Sequence, residues 1–560
     1  MYVSERPLPR GIGELRWYRD KFALCVLHRG LFLSAVRTKQ EVCQMEMVLK
    51  AGMLVLFFGV MVGVGLYCRR HSTDVNGFVL GGRSVGPWLT AFAYGTSYFS
   101  AVVFVGYAGQ FGWKYGIAST WIGIANALLG SLLAWAVLGR RTRIMTQHLQ
   151  SSTMPQFFAS RFDSRMLKTV SSLIIFIFLI PYTASLYNGL SRLFGMAFHV
   201  DYAVCVIVMA VLTGIYVIAG GYMATAINDF IQGIIMLVGI VAVIAAVLNC
   251  RGGFIASLDQ LARVEDPAVS GTPGVFASFF GPDPLNLLGV MILTSLGTWG
   301  LPQMVQKFYA IRSEKAISKG MIVSTLFAAV VAGGCYFLGG FGRLFGNQVD
   351  VAAEGFDAII PAMLSNLSPF LIAVVIILIL SASMSTLSSL VLASSSTLTL
   401  DFLKGTVKKD MKEKEQLLTM RVLIGVFIAI SAVIAILQYN SRSSFIAQMM
   451  GISWGALAGA FLAPFLYGLY WKRATKTGCL ASFIFSTVFM LLVVTVPGIF
   501  PVILHSPINA GAFCMLAGMV IVPVVSLLSK APDKQRLDEI FSCYDRKVTV
   551  RARDSIETEE

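Results

Sequence analysis

Thirteen stretches of roughly twenty mostly apolar residues divide this chain. They lie near 48–67, 87–110, 116–138, 167–190, 202–221, 229–249, 286–305, 319–342, 369–399, 420–438, 443–470, 477–496 and 509–529. Each is long enough to cross a bilayer as a helix. A transmembrane β-barrel would instead show short segments alternating residue by residue. Charged residues make up 13% of the chain, about half the usual roughly 25%. The expectation is an all-α polytopic membrane protein with about 13 transmembrane helices, its transmembrane domain running over 47–529.

The net charge of +15 does not point to nucleic acid, because the bases sit between the apolar stretches. Arg69, Arg70 and Arg83 follow the first; Arg140, Arg141, Arg143, Arg161 and Arg165 follow the third. Lys307, Arg312, Lys315 and Lys319 follow the seventh, and Lys404, Lys408, Lys409, Lys412 and Lys414 the ninth. Lys472, Arg473 and Lys476 follow the eleventh. By the positive-inside bias these loops are cytoplasmic. A multi-pass protein of a bacterial cell membrane is expected, N-terminus outside and C-terminus, with the tail 530–560, in the cytoplasm. Residues 1–46 break the pattern with Arg6, Arg10, Arg16, Arg19, Lys21, Arg29, Arg37 and Lys39. The expected explanation is a mis-called or disordered extension, with translation starting at Met45 or Met47. The nine cysteines form no CxxC pair and read as small buried hydrophobes.

The ninth stretch carries the least ordinary chemistry. After the hydrocarbon run "PFLIAVVIILIL" comes "SASMSTLSSLVLASSSTLTLD", rich in hydroxyls and almost without charge. Ala382, Ser385, Thr386 and Ser389 recur at i, i+3, i+4 and i+7, one face of a helix, with Ser388 beside it. Hydroxyls in membrane helices also bond to their own backbone or glue neighbours. A whole uncharged strip of oxygens suits a monovalent cation that must bind and leave again.

Two further features point the same way. In "GGYMATAINDFIQG", Asp229 follows Gly220 and Gly221 near the start of the sixth stretch. A carboxylate there costs about 2.5–3.5 kcal/mol to insert and marks function by default, although an N-cap is the competing explanation. The second stretch holds Gly95, Thr96 and Ser97 at its centre; the seventh, "LTSLGTWGLPQMVQKF", holds Gly297, Gly300 and Pro302. Interrupted helices at matching positions of two halves mark inverted-repeat transporters.

Other chemistries find no support. The five histidines are dispersed, without metal-ligand spacing, and there is no phosphate-cradling GxxxxGK[ST]. No paired intramembrane carboxylates suggest hydrolysis, so no enzyme and no cofactor are expected, and no obligatory protein partner is evident.

From about Gly81 to Tyr470 the chain resembles the sodium/solute symporter family, relatives of the sodium/proline and sodium/sugar symporters. "GGRSVGPWLTAF", "GGYMATAINDFIQG" and "SASMSTLSSLVLASS" carry the resemblance. It implies a LeuT-type core of 5+5 helices, repeats at about 87–249 and 286–470, working by alternating access. It further implies sodium, as the only metal, on the carbonyls of Thr96, Phe99 and Ala382 and the hydroxyls of Ser385 and Thr386. A second sodium, found in some members, would use Asp229, Ser388 and Ser389.

The solute is less constrained. The stretch interruptions place Tyr94, Tyr98, Ser100, Ala101, Trp299, Pro302 and Gln303 as its lining. Ser100 and Ala101 match positions implicated in substrate binding in the proline symporter, whereas Tyr98 stands where that protein has an aspartate. The early core stretches lack the arginine of a sialic-acid carrier, and the array expected of a hexose site is missing. A small amino acid such as proline is the leading expectation. A monocarboxylate or a pantothenate-type acid is the alternative, then a sugar; outside the class stand a channel and a solute sensor.

Overall fold

The structure, a computed structural model, describes residues 48, 50–69, 73–198, 200–365, 367–441 and 446–545. The extension 1–46 lies outside them, as does the tail beyond 545. Every element of the site belongs to the unit that begins at Phe57.

Among the described residues the chain is helical, apart from two isolated β-bridges. Six helices position the site: α1 (Pro87–Tyr98), α2 (Val102–His148), α3 (Tyr202–Asn249), α4 (Pro284–Gly300), α5 (Pro302–Ala310) and α6 (Pro369–Thr397). Proline stands in the first turn of α1, α4, α5 and α6, where its missing N–H costs nothing and its fixed φ suits the helix. Asp283 and Ser368 cap α4 and α6 through their side chains.

Among the described residues, ten helices are long and apolar enough to cross a membrane, or eleven if α4 and α5 are one bent span. Two are far longer than a bilayer needs: α2 has 47 residues and α3 has 48. At about 1.5 Å per residue either would reach some 70 Å, against the 40–45 Å of a whole bilayer. Each carries a break at a glycine of positive φ, Gly116 in α2 and Gly221 in α3. A Cβ on Gly221 would stand 2.7 Å from the Phe78 carbonyl oxygen. The expected thirteen spans are reached only by dividing both helices there.

Lipid and protein faces separate as the sequence demands. On α3, Val204, Ile207, Val208, Val211 and Ile215 form an exposed apolar stripe. On α6, every residue from Leu378 to Thr397 is buried. Its hydroxyls therefore face protein and never lipid. Some helices meet backbone to backbone: a Cβ on Gly112 would fall 1.9 Å from the Gly339 carbonyl oxygen, so only glycine fits that crossing.

Both interruptions exist, slightly displaced from where the glycines suggested. Helix α1 continues to Tyr98 and unwinds at Phe99, whose backbone is extended. The Thr96 and Ser97 hydroxyls donate to the carbonyls of Phe92 and Ala93, one turn back, a competition that bends helices. The second break falls at Leu301, between α4 and α5, with a bend of 46°. Pro302 disfavours helical backbone in the residue before it, and Leu301 is extended accordingly.

The two broken segments are joined at their far ends. The Val85 N–H donates to the Ala310 carbonyl at 3.3 Å, and the Arg312 N–H donates to the Val85 carbonyl at 2.9 Å. Arg83 braces this joint by donating to the carbonyls of Tyr309 and Ser151. Burial, then neighbouring Arg143, pushes its guanidinium down to about 10, so it stays charged at neutral pH. The described start of the tail forms a short helix, Lys534–Phe541, tied down by ion pairs Arg536–Asp163 and Lys472–Asp538.

Candidate functional site

The unwound residues of α1 lie against the hydroxyl strip of α6, and all five oxygens expected around the first sodium converge there. Ser385 Oγ is 3.2 Å from the Thr96 carbonyl oxygen and 3.0 Å from that of Ala382. Thr386 Oγ1 is 3.1 Å from Thr96 O, 3.2 Å from Phe99 O and 3.1 Å from Ala382 O. Each hydroxyl has a single proton to donate, so two protons serve five close oxygen contacts. The two hydroxyl protons cannot fill all of these contacts at once, and all five residues are buried. A cluster so rich in acceptors and poor in donors suits a cation of low charge.

One turn further along α6 the arrangement changes. Asp229 lies two helical turns beyond the break at Gly221, inside α3 and fully buried. It therefore does not cap a helix, and the N-cap explanation of this aspartate does not hold. Its Oδ2 faces Lys307 Nζ at 3.6 Å, a charge contact too long for a hydrogen bond. The same ammonium donates to Ser389 Oγ at 3.0 Å and sits 5.1 Å from the centre of the Tyr222 ring. Ser389 Oγ also meets Ser97 Oγ at 2.9 Å. Ser388 turns to its own backbone, donating to the Ser385 carbonyl at 3.0 Å.

Lys307 corrects the sequence reading. It was expected among cytoplasmic loop bases, yet it is 2% exposed. The break at Leu301 prolongs the seventh stretch by a second half-helix, α5, and Lys307 rides on that half into the protein.

The expected solute lining divides. Ser100, Ala101, Trp299, Pro302 and Gln303 are all buried beside the two breaks. The Ala101 N–H donates to Ser383 Oγ at 3.2 Å, and Trp299 Nε1 donates to the Leu129 carbonyl at 3.0 Å. Gln303 is 1% exposed, and neither of its amide atoms has a hydrogen-bond partner among the described residues. Tyr94 instead packs against Trp135 and Phe308 and donates its hydroxyl to the Gly130 carbonyl. Tyr98 ends α1. Sequence reasoning passed over Tyr182 and Trp454, whose rings meet edge to face at 5.9 Å with both fully buried.

Asp401, the acid that closes the hydroxyl-rich stretch, has a structural place. It is buried, accepting from Thr153 Oγ1 at 2.6 Å and from Gln156 Nε2 at 3.0 Å, with Lys168 Nζ at 3.4 Å. It fastens the far end of that stretch to the loop before Met154–Phe162.

Comparison with known proteins agrees with this architecture. The family model described as "Sodium:solute symporter family" matches residues 78–486. The osmoregulated proline transporter OpuE of Bacillus subtilis is 28% identical over 483 residues, 86% of this chain and 94% of that protein. Sodium/proline symporter 2 of Staphylococcus saprophyticus is 30% identical over 441 residues, 77% and 83% of the two chains. The sodium/proline symporter of Staphylococcus aureus is 29% identical over 495 residues, 86% and 93%. Among solved structures, a Na+-coupled sialic acid symporter in an outward-open, substrate-bound state superposes with a TM-score of 0.71. That likeness covers 86% of this chain and 98% of the other at 16% identity, and it shows the shared LeuT-type fold alone. With a family model matched over most of its length and relatives aligned nearly end to end, the chain belongs to the sodium:solute symporter family.

Proposed function

We propose that this sodium-coupled symporter takes up a small amino acid, proline in the first instance, by alternating access. The observation that carries the reading is the oxygen cluster between α1 and α6, five close contacts with two protons to fill them. Sodium on Thr96, Phe99, Ala382, Ser385 and Thr386 would bridge a broken helix to a continuous one. Carbonyls freed where a helix unwinds are natural ligands for such an ion. Holding α1 against α6 favours the form that accepts solute from outside, and loss of sodium to the cytoplasm releases it. Each charge moved inward contributes about 2.3 kcal/mol per 100 mV of membrane potential.

The solute would lie beside the same break, among Ser100, Ala101, Trp299, Pro302 and Gln303. An unpartnered buried amide is costly unless a ligand completes its hydrogen bonds, and Gln303 offers both a donor and an acceptor. Three relatives that carry proline in their names support proline as the first solute to test. The loop charges support a cytoplasmic C-terminus and an outward N-terminus.

The test is uptake of labelled proline into proteoliposomes under an inward sodium gradient, with potassium replacing sodium as control. Sodium-dependent, saturable accumulation supports the reading. Sodium-dependent uptake of a monocarboxylate or pantothenate, with proline inert, would replace the solute and keep the coupling. Flux with a large conductance and no saturation would overturn both.

A further inference from the structure

We infer that Lys307 is a built-in cation that takes the place of a second sodium, so that the symporter binds one sodium per cycle. This rests on the sodium reading above and extends it to stoichiometry.

The place expected for a second ion is defined by Asp229 and the α6 hydroxyls, one turn from the first site. Its carboxylate is buried completely, and a buried charge must be balanced by an opposite one nearby. The balancing charge is supplied by the chain itself. Lys307 Nζ lies 3.6 Å from Asp229 Oδ2, 3.0 Å from Ser389 Oγ and 5.1 Å from the Tyr222 ring centre. The carboxylate supplies the opposite charge, Ser389 a hydrogen bond and Tyr222 an aromatic face toward the ammonium. A sodium added there would leave one uncompensated positive charge in a protein interior, where such a charge is expensive. Of the two expected serines, Ser389 is engaged by the ammonium and Ser388 donates to its own backbone.

The ammonium also reaches the first site. Ser389 Oγ touches Ser97 Oγ at 2.9 Å, and Ser97 follows Thr96, whose carbonyl belongs to the first cluster. Because Lys307 sits on α5, beyond the break at Leu301, it ties the second broken segment to α3 and α6 much as sodium would tie the first to α6. One tie is transported and the other is permanent.

The decisive measurement is equilibrium binding of radioactive sodium to the purified full-length protein. One ion per chain is expected, with a Hill coefficient of about 1. Lys307→Gln should open the second position and raise the ratio to two. Lys307→Gln with Asp229→Asn, which removes both charges, should return it to one. Two ions bound by the wild type would overturn the inference, as would a ratio of one in a folded Lys307→Gln protein. Should that variant not fold, the wild-type ratio decides alone. A complete lack of saturable sodium binding would overturn the first sodium site as well, a failure distinct from a wild-type ratio of two.

Discussion

The hydroxyl oxygen of Thr386 stands 3.1–3.2 Å from the backbone carbonyl oxygens of Thr96, Phe99 and Ala382, although it can donate to only one of them. Thr386→Val keeps the shape and removes one oxygen from the cluster, while Ser385→Ala removes the other hydroxyl. Loss of a buried polar partner costs about 1–3 kcal/mol, so either substitution should weaken sodium activation by about tenfold or more. Sodium titrations of uptake and of melting temperature check this. An equal loss of solute affinity at saturating sodium would mean that the hydroxyls serve packing alone.

Gln303→Leu should raise the solute concentration for half-maximal transport by about tenfold, leaving the sodium dependence unchanged. Because neither amide atom has a partner among the described residues, replacing it with an apolar group should not destabilise the protein and should even raise its melting temperature. A fall in melting temperature with unchanged transport would assign Gln303 to the scaffold.

Asp401→Asn removes the charge that gathers Thr153, Gln156 and Lys168. Breaking a buried ion pair by altering one partner costs about 3–5 kcal/mol, with the lower end expected here because Lys168 is partly exposed. The protein should melt earlier, and the sodium concentration for half-activation should hold in the fraction that remains folded. Detergent-phase thermal unfolding and sodium titration measure the two separately.

Gly112→Ala should abolish accumulation of folded protein, since its Cβ would meet the Gly339 backbone at 1.9 Å with no flexible side chain to yield. Gly253→Ala is the contrast in space, because nothing lies within 4 Å of a Cβ there, although its φ of +93° still strains the substitution. Expression and monodispersity of the two variants, side by side, check the ranking.

How much of this could be read without the structure varies residue by residue, for physical reasons. The Ser385–Thr386 face was legible because hydroxyls stand out against an apolar helix and fall at helical spacing. The helix breaks were legible as glycine and proline clusters, but only to within a few residues: Thr96 and Ser97 remain helical, and the extended residue is Phe99. Lys307 was not legible. A lysine just past an apolar stretch has the same local sequence whether it snorkels to a membrane surface or enters the protein, and only the turn at Leu301 distinguishes the two. Tyr182 and Trp454 were hidden among the many aromatics of the chain as a whole. Tyr94 shares that ambiguity, since an aromatic beside a break can pack or line and its neighbours alone decide.

The joint at Val85 has an unusual genetic property. Its two hydrogen bonds run between main-chain groups, Val85 N–H to Ala310 and Arg312 N–H to Val85, so no ordinary side-chain replacement deletes them. An alanine scan would leave both hydrogen bonds in place and so miss the linkage. Proline, which lacks the N–H, would delete one of the two bonds at position 85 and the other at position 312. A proline scan would thus reveal a mechanical linkage that exchanging side chains leaves silent.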